Sequence, residues 1–311
     1  MSTNPVKILL LPYKISKMTQ SGNITVVALG EILWDMLPEG KRLGGAPANF
    51  AYHVSSYGIE TAVVSAVGTD NLGREALEAM DARHLGGHIT QLSTHPTGTV
   101  AVTLDKKGVP SYKITENVAW DFIPWSSHLE KLAAKTDAVC FGTLAQRSPT
   151  SRQTILNFLN AMPDDSRHLR IFDVNLRAPY WNSNIVAESL ENCNILKLND
   201  EELPVVASAV KVTTKAGNQA ATALAIMEKY ALRALILTCG ARESYIFAPE
   251  GTSRLATPHV RVADTVGAGD SFTAAFTASV LLGHTVTEAH ESAVERAAYV
   301  CTRHGATPPV P

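Results

Sequence analysis

The 311-residue chain has little cysteine, almost no net charge and no long hydrophobic run, and each shortage removes a class of protein. Its four cysteines, Cys140, Cys193, Cys239 and Cys301, lie far apart with no CxxC pair, so neither a zinc site nor a disulfide framework is indicated. Free thiols in a reducing cytoplasm are expected instead. A formal net charge of -2, without a lysine- or arginine-rich run, leaves no electrostatic footprint for nucleic acid or an anionic membrane surface. The apolar run Ile8 to Leu11 is cut by Pro12 and Lys14, too short for an export signal. Ser271 to Thr287 is uncharged and approaches membrane length, but its Ser, Thr, Gly and His content reads as a buried helix running into a turn. What is present is a globular composition, 45% hydrophobic and 18% charged, long enough for a sizeable core.

From Ile24 onward, short β-branched runs alternate with segments of helical period. Strands are expected at Ile24, Thr61, Asp137, Leu169, Asn194 and Ala234, and helices over Ala46 to Tyr57, Gly73 to His84, Ser151 to Ala161 and Asn218 to Tyr230. Strands that are apolar almost throughout, each followed by a helix, predict an α/β fold with a mostly parallel sheet covered on both faces. Such sheets bind ligands beyond the carboxyl ends of their strands. Two segments break the alternation, 31–45 and 97–122. In the second, Thr99 to Leu104 and Val109 to Ile114 read as a hairpin around Asp105-Lys106-Lys107-Gly108. The two segments either form a small sheet together or merely decorate an edge. Residues 1–23 read as a tail ahead of one domain over 24–311, and the first 17, preceding a second methionine at Met18, are expected to be dispensable.

The strongest local signal is Asp264-Thr265-Val266-Gly267-Ala268-Gly269-Asp270-Ser271-Phe272, ahead of an apolar helix from Thr273 to Leu282. Small residues before a helix leave its first amides bare and let an anion approach, with the helix dipole favouring negative charge. Asp270, among these donors, is expected to stay ionised and either caps the helix or takes a proton from an attacking hydroxyl. Gly44-Gly45-Ala46-Pro47-Ala48-Asn49 is a second helix start, in which Asn49 is a surface amide or a group that meets a polyol.

Together these segments resemble the PfkB, or ribokinase-like, family of sugar and nucleoside kinases, and within it the bacterial fructokinases. DTVGAGDSF is similar to the family's C-terminal signature, and GGAPANFA with GIETAVVSAVGTDNLGREAL to its N-terminal one. The resemblance implies a three-layer α/β sandwich with a small β lid, supplied by the two irregular segments. It implies Asp270 as catalytic base, the amides of Gly267, Ala268 and Gly269 as the anion hole, and Asp35, Gly45 and Asn49 as partners of sugar hydroxyls. Asn199 and Glu202 of LNDEEL match the N-x-x-E motif that positions magnesium and phosphate through water, while Thr238 and Gly240 match the strand end lining the nucleotide phosphates. Asp264 with the loop near Gly305 resembles a monovalent-cation loop, so ATP with Mg2+, and K+ as activator, are implied along with a small sugar and a homodimer through the lid.

FGTLAQRSPTSR, FDVNLRAPYW and ENVAWD resemble fructokinase segments, which makes Arg147, Arg177 and Trp120 pocket or lid residues. Ala46 stands where ribokinases carry lysine. Lys197 either adds positive charge to the site or forms an ordinary surface salt bridge. Glu243 occupies the place of a glycine in the family's nucleotide turn, where a carboxylate either repels ATP or, at this edge, points to solvent or pairs with Arg242.

Overall fold

The computed structural model describes residues 23–38, 40–104, 110–215 and 217–310. The first 22 residues, on which the dispensable arm falls, lie outside them, as does the expected turn at 105–108. In chain order the strands are β1 (Thr25–Leu29), β2 (Leu33–Leu37), β3 (Gly40–Gly44), β4 (Glu60–Gly68), β5 (His88–Leu92), β6 (Gly98–Leu104), β7 (Pro110–Ile114), β8 (Ala138–Phe141), β9 (Leu169–Asp173), β10 (Ile195–Asn199), β11 (Ala234–Thr238), β12 (Glu243–Ala248) and β13 (Gly251–Ala256). The helices are α1 (Ala46–Ser55), α2 (Asn71–Asp81), α3 (Ser127–Ala133), α4 (Pro149–Ala161), α5 (Ser183–Glu191), α6 (Glu202–Ala209), α7 (Gln219–Lys229), α8 (Ala268–Leu281) and α9 (Val286–Cys301).

Among the described residues, nine strands form one sheet in the order β13-β12-β11-β10-β9-β8-β1-β4-β5. It is parallel from β5 to β11 and ends in two antiparallel strands. Alternate side chains of one strand enter opposite cores, as the two-residue period requires: Val27 and Leu29 join α3 to α7, whereas Val26 and Ala28 join α1, α2, α8 and α9. The result is a three-layer sandwich. The antiparallel β12–β13 pair is absent from the expected strands, because its Pro249-Glu250-Gly251 turn is short and its outer strand, half-exposed, lacks an apolar run.

The two irregular segments do build a second sheet, ordered β3-β2-β6-β7, so the decorated-edge alternative is set aside. Its root is tied down at the start of β6, where Asp70 caps α2 through the Gly73 amide at 2.8 Å and also accepts from the amide and hydroxyl of Thr97. Ser271 to Thr287 resolves into most of α8, a turn with Gly283 at φ +86, and the start of α9. No helix among the described residues is long and apolar enough to cross a membrane. All four cysteines are unbridged.

Candidate active site

Helix α8 begins at Ala268, five residues before the expected Thr273, and this shift moves Asp270 inside the helix. The N-cap is Gly267, in the left-handed conformation at φ 76, so Asp270 is the third helical residue and does not cap. Its Oδ2 instead accepts from Asn49 Nδ2 of α1 at 2.8 Å. Gly267 is needed twice over, for its φ and because a Cβ there would stand 2.6 Å from the Cβ of Ala306. Ala306 is itself held by α1, where the fully buried His53 donates from Nε2 to its carbonyl at 2.8 Å. Burial pushes the Asp270 carboxyl up to about 6, helped by the nearby Asp173 charge and opposed by Asn49, Lys197 and Arg177. Desolvation is the largest influence on this carboxyl and keeps it above its ordinary value. At neutral pH the group is still mostly ionised, with a basicity suited to taking a proton.

Lys197 is a buried residue, which removes the surface salt bridge from consideration. It lies in the middle of β10 and donates to Asp173, the last residue of β9, at 3.1 Å, with both side chains 9% exposed. Burial alone would lower the Lys197 pKa, but Asp173, Glu202 and Asp270 raise it, so the ammonium stays charged. A Cβ on Gly269 would come within 3.0 Å of Lys197 Nζ, which places this cation directly against the first turn of α8. Asp173 also accepts from Thr273 of α8 at 3.0 Å. Asp173 is a site residue that the sequence reading passes over; its signal is an acid ending an otherwise apolar parallel strand.

Asp35, in β2, fits beside the glycine pair because a Cβ on Gly44 would lie 2.6 Å from its Oδ2. Burial raises its pKa, with Arg177 and Arg42 pulling it back. Gly45, at φ 113, packs on the Glu31 backbone carbonyl so closely that a side chain there would collide with it. Arg177 is exposed and near enough to act electrostatically on Asp35, Asp270 and Glu31. Glu31, Ala46, Asp173, Asn175 and Asp270 line one cavity.

Across the sheet, Thr238 ends β11 in register with Asn199 of β10, and Gly240 follows at φ 57. The N-x-x-E pair is a reciprocal cap: Asn199 Oδ1 accepts the Glu202 amide at 2.8 Å, and Glu202 Oε2 accepts the Asn199 amide at 2.9 Å. Glu202 Oε1 takes the Leu176 amide at 2.8 Å, so this buried carboxylate ties the β9 loop to the start of α6. Glu243 does not pair with Arg242, which binds Asp200. It accepts from Arg254 of β13 at 2.6 Å and from Tyr245 at 2.7 Å, a cross-strand pair that neutralises its charge in place. Glu243→Gly is therefore expected to change the KM for ATP by less than about threefold, under ~1 kcal/mol, as steady-state kinetics will measure. A tenfold lower KM would show that the carboxylate opposes the phosphates.

Trp120 and Arg147 do not line the cavity around Asp270. Trp120 is fully buried, and Arg147 stacks on its ring at 4.0 Å while binding Asp121 at 2.8 Å and the Thr115 carbonyl beyond β7 at 2.6 Å. Both stand at the root of the second sheet. Asp264 accepts from the amides of Gly305 at 2.9 Å and Val266 at 3.0 Å, which bind the α8 entry loop to the C-terminal segment. A groove of about 430 Å³ beside the start of α7, lined by Lys215, Gln219, Tyr245 and Phe247, contains no carboxylate and is not the reacting centre.

A carboxylate at a helix start, flanked by a buried ammonium and beneath a second sheet, is an arrangement for moving a proton beside an anion. The family model for pfkB family carbohydrate kinases matches residues 39–311. The chain belongs to the PfkB family. A fructokinase of Salmonella typhimurium is 30% identical over 272 residues, spanning 83% of this chain and 85% of the relative. In fold the chain is similar to a fructokinase with bound ATP from Xylella fastidiosa, with TM-score 0.78, 21% identity and coverage of 91% of this chain and 94% of that one. A fructokinase from Vibrio cholerae O395, in a form holding fructose, ADP and calcium, has TM-score 0.76 at 21% identity, covering 91% and 94%. As a PfkB member the protein is an ATP-dependent carbohydrate kinase.

Proposed function

We propose that this kinase transfers the γ-phosphoryl group of ATP to a primary hydroxyl of a neutral ketohexose, fructose O6. The observation that carries the reading is the Asp270 carboxylate, buried at the first turn of α8, held by Asn49 and set beside the Lys197–Asp173 pair. Asp270 accepts the hydroxyl proton, and the Gly267, Ala268 and Gly269 amides stabilise charge on the phosphoryl group in flight. Asp35, Gly45, Asn49 and Arg177 orient the sugar. Lys197, Thr238, Gly240 and the loop organised by Asn199 and Glu202 receive the nucleotide phosphates. Among the described residues no three His, Cys, Asp or Glu side chains gather into a metal cage, which suits Mg2+ brought in on the phosphates with Glu202 nearby through water. Magnesium, when bound, neutralises charge on the phosphates.

The second sheet serves as a lid that excludes water, with Arg147 and Trp120 bracing its root. Met36, 40% exposed on β2, is an apolar contact through which two copies would pair. The loop of Asp264 and Gly305 is the place for K+. A cytoplasmic location is supported by the free thiols and by the use of ATP.

Fructose is favoured over ribose by Ala46, the residue that stands in place of the ribokinase lysine. Steady-state kinetics on fructose, ribose, 2-keto-3-deoxygluconate and adenosine should give the highest kcat/KM for fructose. A higher value for any of the other three would refute the ketohexose assignment.

A further inference from the structure

Arg177 stands in the loop between β9 and α5, where it acts on Asp35, Asp270 and Glu31 although its side chain is exposed. Its guanidinium donates from Nη1 to the neighbouring Leu176 carbonyl at 3.0 Å, so its place follows the backbone of its own loop. That backbone is moored on both sides of Arg177. One residue before, the Leu176 amide donates to the buried Glu202. Three residues after, the Tyr180 amide closes a turn on the Arg177 carbonyl at 2.7 Å, and the Tyr180 hydroxyl crosses to the second sheet. There it donates to the carbonyl of Ile114, the last residue of β7, at 3.1 Å. The Tyr180 ring packs against the Arg147 guanidinium at 4.7 Å, and Arg147 holds the next carbonyl of the same strand end, that of Thr115. Burial, and after it Glu116, raise the Tyr180 pKa, so the hydroxyl keeps its proton and remains a donor across the neutral range.

We propose that Tyr180 is a positioning residue of the sugar pocket, whose hydroxyl ties the turn carrying Arg177 to the second sheet and so sets this cation against Asp35 and Asp270. The inference rests on the sugar-kinase reading of this pocket. One hydrogen bond is enough for the effect because Arg177 acts through space, and its pull weakens as the separation grows and as water enters between the charges. With the tie made, a sheet seated over the pocket brings a positive charge to the carboxylates it also shields from water. Without it, the turn keeps its mooring at Leu176, and Arg177 is free to swing toward solvent.

The test is Tyr180→Phe, which keeps the ring against Arg147 and removes only the hydroxyl. Arg177 pulls down the pKa of both Asp270 and Glu31, which lie at about 6 and about 7, so withdrawing it moves the acid limb of kcat/KM to higher pH whichever of the two that limb reports. Asp173, Lys197 and Arg42, the other charges that act on the pocket carboxyls, stay in place in the variant. Tyr180→Phe should shift the limb up by about half a pH unit, a loss of about threefold in kcat/KM at its acid end. Arg177→Met should shift it at least as far, and adding Tyr180→Phe to Arg177→Met should shift it no further. A tyrosine that only stabilises the fold would lower the Tm and leave the limb where it is, which would overturn the proposal. Carbon-13 NMR of the side-chain carboxyls, with the Asp270 signal assigned by its loss in Asp270→Asn, reads the same shift in protein without substrate. If no sugar is turned over, the ketohexose reading fails while this titration still decides the role of Tyr180. An Asp270 titration unmoved by Tyr180→Phe, or moved equally with and without Arg177, contradicts the proposal.

Discussion

Asp270→Asn is expected to lower kcat at least ~100-fold, the usual loss for a positioned proton acceptor, while the protein folds as well as before or better. The two halves of that outcome have one cause. An amide cannot take the hydroxyl proton, but it also no longer needs to be ionised in a dry pocket beside Asp173. Raising the carboxyl from 3.8 to about 6 means that its charge costs about 3 kcal/mol on folding at neutral pH, at ~1.4 kcal/mol per unit. A group raised in the folded state contributes stability that is full below its unfolded value and lost as pH rises through its folded one. Native protein minus variant should therefore lose stability from about pH 4 to about pH 6, as urea unfolding at several pH values will measure. Near-native turnover in folded Asp270→Asn would remove Asp270 from the chemistry.

Lys197→Met is expected to lose about 3–5 kcal/mol of stability, because it leaves the buried Asp173 carboxylate with only the Thr273 hydroxyl. Adding Asp173→Asn should recover a large part of that loss, since the cost lies in the stranded charge and not in the missing methylene contacts. Lys197→Met alone also withdraws a cation that lowers the Asp270 pKa, so the acid limb of kcat/KM should move to higher pH. Denaturation within about 1 kcal/mol of the native protein would mean that water reaches Asp173 and that the pair is a surface bridge after all.

The parts of this site legible in the sequence were those made by neighbours along the chain. Gly267 to Asp270 announce themselves as small residues and an acid before an apolar helix, and Gly44 to Asn49 as a helix start. The spacing of Asn199 and Glu202 is that of a capping box, and the structure shows each side chain bonded to the other's amide. Groups brought together from distant strands left weaker marks. Glu31 and Asp173 each look like one acid after a strand, and only the parallel order β9-β8-β1 sets them around Asp270. Burial was the other hidden quantity. Lys197 reads as a possible surface lysine until it is seen among three other buried positions of β10, and Trp120 as a pocket or lid aromatic until it is found sealed under Arg147. The start of α8 was misplaced by five residues because glycine and aspartate discount a helix in propensity, while the tight packing of α8 on α1 and α9 offsets that cost.

Incubation of the native chain with ATP, Mg2+ and fructose, followed by phosphorus NMR alongside ADP release, tests the central claim most directly. The account predicts one phosphate ester on O6 for every ADP formed, with ADP release negligible when the sugar is omitted. ADP formed equally without sugar, an ester on another hydroxyl, or sugar binding with no turnover would each contradict it.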